Sequence, residues 1–301
     1  MDMFSSTIIP TVNRSTLSRA VWSVLDQTLP FADFEVIVIN DSGHPLPDAD
    51  WRHSERVQVI NTCRRERSVA RNTGAAIAKG KYLHFLDDDD WLLPGALQAF
   101  YELDQGSDAA WLHGSYRTVD NDGNQISEFH PKLQGNVFAL LIAGESIPFQ
   151  VSLLNTRLFF AVGGFDADPG IIGVEDREVG RRMALYNTVA STTSVVAEIR
   201  IGEESSTTNW SSIAESDRLG RENALSLEGA GVRLADSATT HSLYGRICRA
   251  YLASALWNLG KNRFFTAVSR IVMGMRLGAF HVFSPSFYRG LRTKQTDEDR
   301  N

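Results

Sequence analysis

The segment from His84 to Pro94 reads HFLDDDDWLLP, in which four consecutive carboxylates follow an apolar run. The run KYLHFLD has the composition of a short buried strand. Unpaired carboxylates are rarely gathered without a counter-charge, because like charges repel one another. Clustered carboxylates are ligands for a hard divalent cation such as Mg²⁺ or Mn²⁺. The segment therefore predicts a cation site at the end of a strand. The alternative is an acidic N-cap on the helix predicted for PGALQAFYELD.

Strands and helices alternate around this segment in the N-terminal third of the chain. STIIPTV, FEVIVIND and RVQVINT have the composition of strands. STLSRAVWSVLDQ has helical spacing, with Ser15 or Thr16 as its N-cap. SVARNTGAAIAKG is a second predicted helix, with Gly80 as its C-terminal stop. This alternation predicts an α/β fold with a largely parallel sheet.

Polar residues follow three of the predicted strands. They are Asn13, Asn40–Asp41 and Asp87–Asp90. In parallel sheets, ligands bind beyond the carboxyl ends of the strands. The sequence therefore predicts a ligand site along one rim of the sheet.

The later sequence becomes helical. DAAWLHGSYRTVD and QISEFHP are predicted strands around a turn, NVFALLIAG is a helix or a buried strand, and EESSTTNWSS is a polar loop. EDREVGRRMALYN is a predicted helix and SVVAEIRIG a predicted strand. From about Ser216 the pattern is helical, and we predict two domains, a catalytic domain over 1–235 and a helical extension over 236–301.

Composition limits the classes of function. The net charge is −6 and the pI is near 5.7, which argues against a protein whose main task is non-specific nucleic-acid binding. Cys63 and Cys248 lie far apart and are read as reduced thiols. We see no signal peptide and no run of about 18 apolar residues. These features predict a cytoplasmic protein.

Four motifs in order resemble family 2 glycosyltransferases with the GT-A fold. They are TIIPTVNR, FEVIVINDSG, SVARNTGAAIAKGKYLHFLDDDDWLLPGAL and GGFD…GVEDREVGRRMA, covering roughly residues 5 to 210. Each motif alone is weak, and the four in sequence are strong. The resemblance implies a Rossmann-like sheet with helices on both faces, plus a C-terminal helical region.

The resemblance also implies which residues bind the nucleotide sugar. They are Pro10, Thr11, Asn13, Arg14, Asp41, Arg71, Asp87 and Asp88. Relatives have Asp-Asp after the second strand, whereas this chain has Asn40-Asp41, so the base contact is assigned to Asp41. On the sequence alone, Asp41 is equally consistent with a turn residue and Arg71 with an exposed helix arginine. Arg64, Arg65 and Arg67 form a cluster that is either solvated or phosphate-facing.

The family's D-x-D motif falls on Asp87 and Asp89, the implied metal ligands, with Asp88 and Asp90 as adjacent alternates. The implied cofactor is Mn²⁺ or Mg²⁺, which would hold the diphosphate leaving group. We expect metal binding to relieve the repulsion among these carboxylates.

The family's Glu-Asp pair falls on Glu175 and Asp176. The resemblance implies that Asp176 is the general base toward an acceptor hydroxyl and that Glu175 assists it. The alternative is an acidic first helical turn paired with Arg177, Arg181 or Arg182.

Three further stretches are less specific. The charged Arg177-Glu178 would suit a polar or anionic acceptor. HGSYR, residues 113–117, lies where relatives line a sugar pocket, or is an edge strand. Relatives carry an Arg-x-His loop near RIGEESSTTN, where this chain keeps Arg200 and the hydroxyls of Ser205–Thr208.

The implied function is inverting transfer of a sugar from a nucleotide-diphosphate donor, most simply a UDP-sugar, to a saccharide or lipid-linked acceptor in bacterial surface polysaccharide synthesis. One rival is a nucleotidyltransferase, which should have a glycine-rich N-terminal loop that IIPTVNRST lacks. The other is a catalytically silent relative that binds nucleotide sugars or partners. The C-terminal AVSRIVMGMRLGAFHVFSPSFYRGLR mixes apolar and basic residues. It predicts peripheral membrane contact, or packing on the catalytic domain or on a second subunit in a homodimer.

Overall fold

The computed structural model describes residues 2–62, 66–168, 170–171, 173–202, 210–235 and 240–292. Within them, nine strands form a single sheet. The strands are β1 Met3–Thr11, β2 Asp33–Asn40, β3 Val57–Asn61, β4 Tyr82–Phe85, β5 Trp91–Leu92, β6 Trp111–Val119, β7 Gln125–Phe129, β8 Ser152–Asn155 and β9 Val189–Arg200. The helices are α1 Leu17–Leu25, α2 Arg67–Ile77, α3 Ala96–Gln105, α4 Phe138–Ile142, α5 Thr156–Ala161, α6 Glu175–Tyr186, α7 Trp210–Ser226, α8 Ala230–Ala235, α9 Thr240–Gly260, α10 Phe264–Gly278 and α11 Pro285–Arg292.

The sheet is parallel on one side and mixed on the other. The strand order is β3-β2-β1-β4-β8-β6-β9-β5, and β7 pairs with β6. The strands β3, β2, β1 and β4 run parallel, whereas β8 is antiparallel to both β4 and β6. β6 and β9 also pair in parallel. The prediction of a largely parallel sheet therefore holds, with β5, β7 and β8 as the antiparallel strands. Register places Thr11, Asn40 and Asn61 side by side at the carboxyl ends of three strands.

Helices cover both faces of the parallel part because successive strand residues point to opposite sides. On one face, Val38 and Ile9 share a buried cluster with Val21 and Val24 of α1. On the other face, α2 lies so close to the sheet that a Cβ on Gly74 would stand 2.5 Å from the Ile8 side chain. Both faces of this part of the sheet are therefore buried, which explains why residues 36–39 of β2 form a continuous apolar run.

Gly80 has a different role from the one predicted. Helix α2 ends at Ile77, with Ala78 in the C-cap position, so Gly80 is not the helix stop. A Cβ on Gly80 would lie 2.5 Å from the backbone nitrogen of Ser6 in β1. The glycine is needed because two backbones approach each other closely, a tertiary contact that the sequence pattern does not reveal.

Several local predictions are settled by the described residues. NVFALLIAG contains helix α4 rather than a buried strand. Within the segment predicted as a polar loop, α7 already begins at Trp210. Thr16 occupies the N-cap position of α1, but its side chain makes no capping hydrogen bond.

The chain divides into two compact units. The first comprises Met1–Gly135, Ile147–Pro169 and Tyr186–Thr208, and it contains the sheet. The second comprises Asn136–Ser146, Gly170–Leu185 and Asn209–Asn301, and its described part is helical. The predicted domains, a catalytic domain over 1–235 and a helical extension over 236–301, remain a prediction. In the described part of the chain, no helix combines the length and apolar character needed to cross a membrane.

Candidate active site

The first unit gathers predicted site residues at the carboxyl ends of β1, β2 and β4. Thr11 ends β1, Asp41 follows β2, and the four aspartates follow β4 by one residue. Pro10 lies in β1 opposite Ile39 of β2. The predicted rim of polar residues is therefore present in the fold.

Asp88 is held by β1 and the turn that follows it. The Thr11 hydroxyl donates to Asp88 Oδ2 at 2.6 Å, and Arg14 Nη1 donates to Asp88 Oδ1 at 2.7 Å. Arg14 Nη1 also lies 3.3 Å from Asp89 Oδ2. Asn13 adopts a left-handed conformation, with φ of 69°, and its N–H donates to the Thr11 hydroxyl. The strained turn thus aims Arg14 back toward the aspartates.

Asp87 is held by α2 and by the segment before β8. Arg71 Nη2 donates to Asp87 Oδ1 at 2.7 Å, and Gln150 Nε2 donates to Oδ2 at 3.1 Å. Burial would raise the pKa of Asp87, but the Arg71 and Arg67 charges outweigh it and hold that pKa below its usual range. Asp87 is therefore ionised at neutral pH. Arg71 is buried, so the reading of an exposed helix arginine is wrong.

Asp87, Asp89 and Asp90 form a set that could hold a cation. Each offers a carboxylate oxygen, and these oxygens lie within 4.8 Å of one another. Burial raises the pKa of Asp89, with Arg14 opposing the rise and Asp87 adding to it. Burial and then the charge of Asp87 raise the pKa of Asp90 well above its usual range. An all-oxygen set whose members resist ionising side by side fits a hard divalent cation.

The acidic N-cap interpretation of the aspartates does not hold. Helix α3 begins at Ala96, and its N-cap is Gly95, which has no side chain to cap with. Arg14 and Arg71 already offset part of the carboxylate repulsion through their ion pairs. The charges of the two arginines therefore offset part of the repulsion among the aspartates, and a bound cation would offset more of it.

The residues after β2 are fixed by hydrogen bonds within the first unit. Asp41 accepts from the Thr62 hydroxyl at 2.6 Å and from the Glu66 N–H at 2.7 Å. Asn40 donates to the His44 carbonyl oxygen and accepts from the Ser42 hydroxyl. Asn40 therefore stabilises the loop that follows β2. Asp41 links that loop to the residues between β3 and α2.

Glu175 and Asp176 lie in the second unit, in the first turn of α6. Glu175 is buried, and its Oε2 accepts from the Gly173 N–H at 2.8 Å. Asp176 is half-buried, and its Oδ1 accepts from its neighbour Arg177 at 2.7 Å through the backbone. The turn therefore places two acidic side chains at the N-terminus of α6.

The arginines of α6 pair with carboxylates in α7 and within α6 itself. Arg181 Nη2 lies 2.6 Å from Asp217 Oδ1, and Arg177 Nη1 lies 3.9 Å from the same oxygen. Arg182 pairs with Glu178. Burial raises the pKa of Asp217, but Arg181 and Arg221 outweigh it and lower that pKa to about 2.

The remaining predicted residues have mixed outcomes. His113 is fully buried in β6, and its Nε2 donates to the Leu133 carbonyl oxygen, so it does not line an open pocket. Arg200 touches the cluster through its backbone, because its N–H donates to Asp90 Oδ1 at 2.8 Å. Arg64, Arg65 and Ser205–Thr208 lie outside the described residues, as does Cys63. Cys248 is a buried free thiol.

No sequence motif pointed to Gln150 or to the residue that supports it. His84 is fully buried, and burial lowers its pKa to about 4, so it is neutral at pH 7. Its Nε2 donates to the Gln150 carbonyl oxygen at 2.9 Å, and its Nδ1 accepts from the Thr7 hydroxyl. Gln150 therefore reaches Asp87 from a backbone that β4 holds in place. The partners are 66 residues apart in sequence, which no local pattern could connect.

In an open α/β sheet, ligands bind beyond the carboxyl ends of the strands, which is where this chain places its aspartates. Residues 6–156, half of the chain, match the family model "Glycosyl transferase family 2". The chain belongs to glycosyl transferase family 2. This confirms the family predicted from the four motifs.

Two curated relatives illustrate the similarity. The poly(ribitol-phosphate) beta-N-acetylglucosaminyltransferase TarP of Staphylococcus aureus is 33% identical over 158 residues, which cover 50% of this chain and 47% of TarP. The UDP-Glc:alpha-D-GlcNAc-diphosphoundecaprenol beta-1,3-glucosyltransferase WfgD of Escherichia coli is 26% identical over 125 residues, covering 40% of this chain and 49% of WfgD. This chain thus spans about half the length of these two relatives.

Solved structures confirm the fold. TarS 1-349 of S. aureus in complex with UDP-GlcNAc superposes with a TM-score of 0.63 at 17% identity, covering 93% of this chain and 92% of that chain. The same fragment with UDP gives a TM-score of 0.58 at 15% identity. The predicted GT-A fold with C-terminal helices is therefore correct.

Proposed function

We propose that this protein transfers a sugar, with inversion, from a nucleotide-diphosphate donor to a hydroxyl group of a surface polysaccharide or glycoconjugate. The observation that carries the proposal is the set of Asp87, Asp89 and Asp90 oxygens beyond β4, in a chain of family 2. A diphosphate is a good leaving group only when its growing negative charge is offset. Carboxylates with a cation between them, beside two arginines, are suited to that task.

The donor site is assigned to the rim of the first unit. Asp41 and Asn13 would contact the base and ribose, with Pro10, Thr11 and Asp88 shaping the floor of the site. Arg14 and Arg71 would face the diphosphate, since each already binds an aspartate of the cluster at 2.7 Å. Asp87, Asp89 and Asp90 would hold Mn²⁺ or Mg²⁺, which when bound supplies positive charge to the diphosphate. UDP is the first nucleotide to test, because the printed names of TarS with UDP-GlcNAc and of WfgD both contain it.

Asp176 is assigned as the general base, with Glu175 as its support. An acceptor hydroxyl has a pKa far above 7 and must lose its proton as it attacks. Asp176 takes that proton while the hydroxyl oxygen bonds to the anomeric carbon and the bond to the diphosphate breaks. A single displacement of this kind converts an α-linked donor into a β-linked product, and the names of TarP and WfgD both specify β linkages.

The acceptor class follows from the same two relatives. TarP is named for a poly(ribitol-phosphate) and WfgD for a diphosphoundecaprenol-linked saccharide. Both acceptors carry phosphate and belong to surface-glycan synthesis. The exposed part of Arg177, beside Asp176, suits an anionic acceptor. The buried free thiol of Cys248 is consistent with action in the reducing cytoplasm.

A thermal-shift titration with UDP, GDP, TDP and CMP, each with and without Mn²⁺, tests the donor site. We expect stabilisation by a single nucleoside diphosphate that depends on the metal, because a ligand selective for the native state raises its stability. Release of free nucleotide from the matching nucleotide sugar then tests turnover. Binding without turnover, with every candidate acceptor, would favour the catalytically silent relative. If no nucleotide raises the unfolding temperature, the assignment of a donor site to this rim is wrong.

A further inference from the structure

Charge is unevenly distributed along this chain. The segment 240–292, which contains α9, α10 and α11, has eight lysines and arginines and no aspartate or glutamate, although the whole chain has a net charge of −6. Such segregation gives one helical segment a positive field inside an acidic protein.

The same helices expose large apolar side chains in stripes. On α9, Leu252, Leu256 and Leu259 are spaced by four and three residues, and Leu256 is 70% exposed. On α10, Phe265, Val268, Val272 and Met275 follow the same spacing, and Phe265 is 89% exposed. Residues spaced in this way lie on one face of a helix. Each helix therefore carries a continuous apolar stripe that no described residue covers.

The two stripes lie on the same side of the helical hairpin. Helices α9 and α10 pack through Cys248 and Tyr251 against Gly274 and Gly278. In α9 each of the three leucines follows a buried residue, and in α10 Val268 and Met275 do so. Successive residues of a helix lie about 100° apart around its axis. Because α9 and α10 are antiparallel, this rotation places both stripes on the same side of the helix pair. Together they form one apolar face, which we call the hairpin face.

Two phenylalanines extend this exposed apolar surface beyond α10. Phe280 and Phe283, between α10 and α11, are each 90% exposed. Cations are interspersed: Lys261 and Arg263 lie in the turn between α9 and α10, and Arg276 follows Met275. Two other cations of the segment, Arg246 and Arg270, pair with Glu145 and Glu215 from elsewhere in the chain. Apolar side chains fringed by Lys261, Arg263 and Arg276, in a segment that has no carboxylates of its own, match the interfacial helices that rest on anionic lipid.

We propose that the hairpin face docks the protein on an anionic lipid bilayer, with its apolar side chains in the acyl boundary and its cations at the headgroups. A second copy of the chain is a poorer occupant. A two-fold interface would set this cationic segment against itself, and 240–292 supplies no carboxylate for pairing. A bilayer supplies both the apolar layer and the negative charge. The proposal rests on the helices and not on the transferase chemistry.

Flotation of the full chain with lipid vesicles tests the proposal. One set of vesicles is phosphatidylcholine alone, and the other contains about one third phosphatidylglycerol. The test variant is F265S/V272S/M275S, and Val232→Ser on α8 is its control, because Val232 is 79% exposed outside the hairpin face. The charge variant is K261E/R276E, with Arg157→Glu on α5 as its control. Exposed positions were chosen so that the fold is retained, which circular dichroism and the unfolding midpoint verify.

We expect wild type and both controls to float with anionic vesicles and to do so less at high salt, because screening weakens the headgroup attraction. Both multiple variants should bind about tenfold more weakly or worse. The proposal fails if wild type does not float, or if the apolar variant floats equally well. A third result would also contradict the proposal. In it, neither protein floats with vesicles, while sedimentation shows that wild type is a dimer and the apolar variant a monomer. Donor binding, measured on the same samples, is independent of all these outcomes.

Discussion

Replacing Asp90 by asparagine should make the metal-free protein more stable and its metal binding weaker. Asp90 is buried, and its Oδ1 accepts from the Arg200 N–H at 2.8 Å. An asparagine oxygen can accept the same hydrogen bond. The substitution therefore removes the charge of Asp90 while leaving its main structural contact in place.

The expected gain follows from the spacing of the carboxylates. Two unit charges at the 4.8 Å limit of the cluster repel by about 3 kcal/mol at an effective dielectric constant of about 20. Arg14 and Arg71 offset part of this repulsion at Asp87 and Asp89, so we expect a net gain of about 1–2 kcal/mol in the free energy of unfolding. Because the pKa of Asp90 is raised in the folded state, that state binds more protons than the unfolded chain above the usual pKa. Wild-type stability thus falls with rising pH in that window, and Asp90→Asn should lose this dependence.

Urea unfolding at pH 5 and pH 8, with EDTA or Mn²⁺, measures the stability change, and Mn²⁺ titration followed by electron paramagnetic resonance measures the affinity. We expect about a tenfold or greater loss of Mn²⁺ affinity in Asp90→Asn. Asp88→Asn is the matched control, because Thr11 and Arg14 hold Asp88 outside the cation set. That variant should lose stability and retain most of its Mn²⁺ affinity. A destabilised Asp90→Asn protein with unchanged Mn²⁺ affinity would refute the reasoning and make Asp90 a structural residue.

Three further predictions address the base, the sheet and the buried histidine. Asp176→Asn should lower turnover by about 10²–10⁴-fold while nucleotide binding is retained, and near-full activity would remove it as the base. Gly80→Ala should lower the free energy of unfolding by about 2 kcal/mol or more, since its Cβ would meet the Ser6 backbone, whereas Gly231→Ala, with open space around it, should not. His84 has a pKa lowered to about 4, so the unfolded chain binds its proton more readily. Stability should fall by about 3 kcal/mol as pH drops from about 6.5 to about 4, and a His84→Gln variant should lack this fall.

Local pattern was enough to predict the parallel half of the fold. Strands β1 and β2 lie between two layers of helices, so each contains an apolar run that ends in polar residues. The same abrupt ends located the candidate site, because the carboxyl ends of adjacent parallel strands lie together. Asn13, Asp41 and Asp87 could therefore be placed on one rim without any distance information.

The rest depends on contacts between distant parts of the chain. Strand β5 has only two residues, Trp91 and Leu92, and exists because β9 pairs with it. The reach of Gln150 to Asp87 and the approach of Gly80 to β1 likewise arise from packing that no window of sequence contains. Asp90 belongs to the cation set for a similar reason. The shape of the turn, and not the order of the four aspartates in the sequence, decides which carboxylates lie close together.

The interleaving of the two units has a consequence during synthesis of the chain on the ribosome. Arg181 donates to the Leu141 carbonyl oxygen, and Arg221 donates to that of Ile142, so late helices satisfy the end of an early one. Arg221 lies 79 residues beyond Ile142, which at about 5–20 residues per second delays the last partner of α4 by several seconds. During that interval its buried face, including Phe138, is open to other chains. The nascent protein should therefore depend on chaperones at this stage, and premature stops after β9 should yield aggregating fragments rather than a free-standing first unit.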